Sequence, residues 1–238
     1  LVFQVRISTA QYPVPSSHPS QPSFDSLEDM VRDSMGNDYQ ACMKVCALAR
    51  DGYQCLLTGM IDHTSYIKCV GLQAKAEHEK LPLARLEVAH ILNEPTTQGN
   101  DPEGDSSSAL AILESFGFSE FSDKFNKSEG IHEVWNLLSL EHNVHQRFDN
   151  FELWFEATEE LHCYKVCFSD EQDRVSFTSK SSRLCIDSFV VDFSSKDEQL
   201  PPPHPLLLAL HATCARVAHM SGATEFFDQI EWDAEEAI

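Results

Sequence analysis

The stretch Leu86-Glu87-Val88-Ala89-His90-Ile91 and its sequel Trp135-Asn136-Leu137-Leu138-Ser139-Leu140-Glu141-His142-Asn143-Val144-His145-Gln146-Arg147-Phe148-Asp149 decide how this chain is read. The first piece is an apolar, strand-like run that ends on a histidine. The second starts with Trp135 and an asparagine, continues through an apolar strand-like run, and closes in a segment with helical spacing. On that helix His145 and Asp149 lie four residues apart, so both project from one face.

Residues 93–108 separate the two pieces and are rich in Asn, Gly, Pro, Asp and Ser, which predicts a loop. Leu110, Leu113 and Phe116 then predict a helix over 109–118. Upstream, residues 1–24 hold Pro13, Pro15, Pro19 and Pro22 and read as an extended segment. A helix is expected over 25–38 with Ser26 as its N-cap, and another over 39–50 that ends at the Asp51-Gly52 turn. Tyr53 to Gly59 reads as a short strand and turn. Residues 62–81 read as a polar loop with a strand at Tyr66–Val70. Downstream, alternation at Phe151, Leu153 and Phe155 and at Tyr164, Val166 and Phe168 predicts strands. Val175 with Phe177, and 184–193, predict two more. Pro201-Pro202-Pro203 ends this sheet region. Pro205 suits the first turn of a helix that runs to Met220 and stops at Gly222. No internal repeat is visible.

The 238 residues carry 42% hydrophobic side chains, enough for a sizeable core, and a formal net charge of −21. The excess is heaviest in residues 151–238, where 17 acidic residues face 6 basic ones. Such a charge repels polyanions at long range and argues against a general nucleic-acid coating protein, while leaving room for a local metal site. The eight cysteines form no CxxC, and most are expected to be buried thiols of a reducing, intracellular compartment, nuclear or cytoplasmic. Residues 1–12 lack the pattern of a secretory signal. The apolar run Leu206–Met220 is too short and too polar to span a bilayer.

Four pieces in order now carry a resemblance: Arg50-Asp51-Gly52-Tyr53-Gln54-Cys55-Leu56-Leu57-Thr58-Gly59, Glu87-Val88-Ala89-His90-Ile91, Asn136-Leu137-Leu138-Ser139-Leu140 and His145-Gln146-Arg147-Phe148-Asp149. Together, over roughly residues 40–160, they resemble the HNH endonuclease family, and within it the type abundant in fungal genomes. The resemblance implies a ββα unit that holds one divalent cation over a scissile DNA phosphate. Strand one would end at His90, strand two would follow Asn136, and the helix would carry His145 and Asp149 as metal ligands. His90 then matches the family's general base, since a free imidazole titrates near ~6.5 and can take a proton from water at neutral pH. Asn136 matches the residue that braces the loop and orients that base. The implied cofactor is Mg²⁺ first, with Mn²⁺ or Zn²⁺ as alternatives.

One position departs from the pattern. Ala89 stands where many members carry a metal-binding Asp or His before the base. Glu87, on the same strand face, is a candidate replacement ligand, and a hard Mg²⁺ ion keeps several waters in any case. Plainer readings stand beside these roles. His90 is then a hydrogen-bonded core histidine, Asn136 a turn residue, and His145 with Asp149 a solvated helix pair. His142 is read as a surface or supporting group, and His132 and Glu133 are left out of the site. Cys55 is expected in the core, because Thr58 occupies the position where a zinc pair would need its second cysteine.

The expected fold is α+β: a ββα-metal HNH core with N-terminal helices, an antiparallel β-sheet and a C-terminal helix. Three segments are expected: the extended residues 1–24, a nuclease-like domain over 25–160, and a β-rich extension with a helix over 161–238 packing on the same core. The expected function is divalent-metal-dependent hydrolysis of DNA phosphodiesters, with DNA as partner and no membrane. The rival is a degenerate HNH domain kept as a binding or scaffold module.

Overall fold

The computed structural model describes residues 39–92, 130–178 and 189–221. The expected extended N-terminus, the helices over 25–38 and 109–118, the loop over 93–108 and the helix stop at Gly222 lie outside these residues.

The first element, α1 (Tyr39–Arg50), buries Cys46, Ala47 and Arg50. It ends where Gly52 takes the left-handed conformation at φ +66°, a region open to glycine at little cost. Arg50 is fully buried and spends its guanidinium on four contacts. Nε and Nη2 donate to the two carboxylate oxygens of Asp51, both at 2.7 Å. Nη1 and Nη2 donate to the carbonyls of Val134 and Leu137, also at 2.7 Å. Asp51 Oδ2 in turn accepts the backbone N–H of Ser139 at 3.1 Å. Two buried charges thus neutralise each other and tie the end of α1 to a distant turn and strand.

Residues 53–60 make a compact turn in which only Gln54 pairs as a bridge, with Ile61, in place of the expected short strand. Strand β1 (Ile61–Asp62) pairs in parallel with β2 (Leu83–Ala84). Between them lie two helices, α2 (His63–Lys68) and α3 (Val70–Glu79), which correct the expected loop and strand over 62–81. The physical cause is a cap. Asp62 Oδ2 accepts from both the N–H and the hydroxyl of Ser65 at 2.7 Å, which starts α2.

Strand β3 (Leu86–His90) pairs antiparallel with β4 (Leu137–Glu141), and α4 (His142–Asp149) follows at once. Glu141 caps α4, with Oε2 accepting the N–H groups of Asn143 and Val144 at 2.9 and 3.4 Å. Val144 and Phe148 face the core. The expected antiparallel sheet follows as β5 (Leu153–Ala157), β6 (Cys163–Phe168) and β7 (Val190–Asp192), in that order. The predicted strand at Val175 and Phe177 is instead part of helix α5 (Glu171–Thr178). Phe177 is buried and Val175 exposed, so the two do not share the face that alternation requires.

The last helix, α6 (Pro205–Ser221), buries Leu207, Leu208, His211, Ala212 and Ala215. One apolar cluster runs from Cys55 through Ala89, Leu138, Val144 and Phe155 to Leu208, so the ββα unit, the sheet and α6 share a core. This is the α+β arrangement expected from the sequence. His211 stacks on Phe148 with ring centroids 3.7 Å apart, and its Nε2–H donates to the Phe148 carbonyl at 3.1 Å. Burial pushes its pKa down to about 4. No helix among the described residues is long and apolar enough to cross a membrane.

Two measurements test this packing. Removing one member of a buried ion pair strands the other, at a cost of roughly 3–5 kcal/mol. Asp51→Ala is therefore expected to lose stability on that scale in urea unfolding; a loss below about 1 kcal/mol contradicts the buried pair. The second concerns pH. Folded His211 stays neutral while the unfolded chain binds its proton near ~6.5, so its stabilisation is complete above that pH and is lost as pH falls towards about 4. His211→Gln should shallow the decline of stability across that window, and an unchanged slope contradicts the assignment.

Candidate active site

The site is built on β3, β4, α4 and two short 3-10 turns, Gly130–His132 and Val134–Asn136. Asn136 lies at the centre, fully buried, at the entrance to β4. Its Oδ1 accepts the N–H of Leu92 and its Nδ2 donates to the carbonyl of Leu92, both at 3.0 Å. Nδ2 also donates to the Ile131 carbonyl at 2.8 Å. The Asn136 carbonyl accepts the N–H of Ile91 at 2.8 Å. One side-chain amide therefore clamps the chain just after His90 and, with its second proton, the turn that carries His132. All its donors are used, as burial demands.

His90 ends β3 opposite Leu137. Its Nε2 shares a hydrogen bond with His132 Nδ1 at 3.0 Å, and the rings meet edge to face at a centroid distance of 5.2 Å. Burial, followed by the like charges of His132 and Lys44, pushes the His90 pKa down to about 4. The ring is therefore neutral at pH 7 and holds a lone pair. Asp149 raises that pKa and the charge of His145 lowers it, both less than burial does.

A second group forms where β3 meets α4. Glu87 reaches across with Oε1 3.0 Å from His142 Nδ1 and Oε2 2.9 Å from His145 Nδ1. His145 Nε2 lies 3.1 Å from Asp149 Oδ2. One imidazole is held between two carboxylates. The Asp149 bond does most to raise the His145 pKa, opposed by burial and assisted by Glu87. The bond to His145 leads in lowering that of Glu87. Each ring nitrogen of His145 thus faces a carboxylate oxygen.

The structure thus brings Glu87, His145 and Asp149 into contact and sets His90 and Asn136 on the adjoining strands. Two hard carboxylates and an imidazole are suitable donors for a divalent cation. As the side chains stand, however, no three His, Cys, Asp or Glu groups among the described residues converge on one ion position. The geometry explains this: the carboxylates occupy diverging nitrogens of one ring. Ala89 is fully buried in the apolar cluster with Leu138, Val144 and Phe148. Cys55 is buried as expected, its sulfur accepting the N–H groups of Thr58 and Glu141 at 3.4 and 3.3 Å. On the flank of α4 an open polar cleft of about 420 Å³ is lined by Asn143, Gln146, Arg147, Asp149, Asn150 and Glu152.

Sequence reasoning missed His132. The turn that holds it has no periodicity to read, and its link to His90 passes through a contact between residues 42 positions apart.

No curated protein and no solved structure matches the chain. The model of a family described as HNH endonuclease does match, over residues 55–156. That span contains β3, the Asn136 turn, β4 and α4, with Glu87, His90, His132, Asn136, His145 and Asp149, so this part of the chain is similar to the HNH endonuclease family.

Proposed function

We propose that the protein is a divalent-metal-dependent endonuclease that hydrolyses phosphodiester bonds in DNA, with His90 as general base. The observation that carries this reading is the clamped end of β3. Asn136 fixes the backbone behind a neutral histidine, while an imidazole and two carboxylates gather on the neighbouring helix face.

In this reading His90 takes a proton from water, and the resulting hydroxide attacks phosphorus in line with the leaving oxygen. Asn136 acts by restricting the base, since a ring that swings spends little time in reach of its proton. His145 and Asp149 would hold the cation, with Glu87 in the place that Ala89 leaves unfilled. A divalent cation held there supplies charge neutralisation at the phosphate and at the leaving oxygen. To serve as a ligand, His145 must turn one nitrogen away from a carboxylate and present it without a proton, so metal loading depends on pH. Mg²⁺ fits the oxygen-rich donor set best, and Mn²⁺ suits it as well.

A second reading, a degenerate domain that binds without cutting, is favoured by Ala89 and by the engagement of His145 with both carboxylates. Plasmid cleavage in Mg²⁺ or Mn²⁺ separates the two. The endonuclease reading expects wild-type cutting and a fall of about 10²–10⁴-fold in rate for His90→Ala. Equal cutting by both proteins removes His90 as base, and a wild-type protein that leaves the plasmid intact favours the binding module.

A further inference from the structure

The hydrogen bond between His90 and His132 has a direction that the geometry leaves to chemistry. Two neutral imidazoles can bond only if one facing nitrogen carries a proton and the other a lone pair. Among the described residues the His90 ring makes no second hydrogen bond. If His132 donated, the Nε2 lone pair of His90 would be consumed and its proton would sit on Nδ1. No nitrogen of His90 would then be able to accept a proton.

We infer that His132 is a positioning residue whose Nδ1 accepts a hydrogen bond from His90 Nε2–H, which leaves His90 Nδ1 as the nitrogen that accepts the proton. This rests on the reading of His90 as general base and adds to it the tautomer and the residue that sets it. The placement of His132 follows from the same clamp that holds His90. Asn136 Nδ2 bonds the carbonyl of Ile131, next to His132, and that of Leu92, two residues beyond His90. The two rings are therefore held at a fixed separation by one buried amide.

In the step itself an O–H bond of water breaks and an N–H bond forms at His90 Nδ1. The electron pair left on oxygen forms the new bond to phosphorus as the ester P–O bond breaks, and the departing oxygen takes a proton from solvent. His90 becomes an imidazolium, and its Nε2–H bond to His132 strengthens because the donor is now charged. A base whose other nitrogen is bonded in this way is oriented as well as stabilised.

The test uses the full chain with His132→Asn and His132→Leu. The Asn side chain places an acceptor oxygen close to where Nδ1 of His132 stands; Leu offers none. In Mg²⁺-dependent plasmid cleavage, His132→Leu is expected to lower kcat by about 10–100-fold with KM little changed, and His132→Asn to recover most of it. Imidazole nitrogen NMR reads the tautomer without turnover. His90 should be the Nε2–H form in the wild type and in His132→Asn, and a mixture in His132→Leu. An Nδ1–H tautomer in the wild type, or equal losses of kcat in both variants, overturns the inference. If His90→Ala cuts like the wild type, the base assignment fails, and the tautomer alone decides the pairing of the histidines.

Discussion

The site depends on a buried relay of hydrogen bonds that runs from α1 to the end of β3. Arg50 reaches the carbonyls of Val134 and Leu137, which flank Asn136 on either side. Asp51 orients the guanidinium and holds the Ser139 N–H of β4. The turn fixed in this way presents Asn136, whose amide fastens Leu92 and Ile131. The Arg50 and Asp51 links are buried, so each of them is costly to leave unmade. Arg50 on α1 is thereby linked, through the Asn136 turn, to the chain just beyond His90. The buried ion pair is justified less by net stability than by the position it imposes on the turn.

Much of this fold can be read from the chain. Apolar runs that end on His90 and begin after Asn136, followed by His145 and Asp149 at helical spacing, correspond to β3, β4 and α4. Alternation around Leu153 and Tyr164 corresponds to β5 and β6. Pro205 stands at the first position of α6. Besides the turn at 53–60, two segments depart from their reading for physical reasons. Residues 62–81 lack apolar periodicity, yet the Asp62–Ser65 cap is enough to start a helix there. Val175 and Phe177 alternate only if both are buried, and one is not.

The site was legible as a set of residue types and not as a set of contacts. His145 and Asp149 are neighbours because of helical geometry, which spacing reveals. Glu87 joins them because β3 lies beside α4, and the strand period only hinted at that. His132 reaches His90 through tertiary structure alone. Ala89, read as a missing ligand, turns out to fill a packed core position among Leu138, Val144 and Phe148. A carboxylate at that position would have to be buried in apolar surroundings, whereas Glu87 two residues earlier emerges beside the helix.

Under the proposed function, Glu87, His145 and Asp149 would hold a cation beside His90 in a chain of net charge −21. A cation held there would offset the repulsion that these carboxylates exert on a phosphate. Mn²⁺ binding followed by electron paramagnetic resonance tests this most directly, in the wild type and in His145→Ala, with His142→Ala as control. Saturable binding is expected in the wild type, with little change in the control and a loss of about 10-fold or more in His145→Ala. Absence of saturable binding, or equal binding in all three proteins, contradicts that assignment.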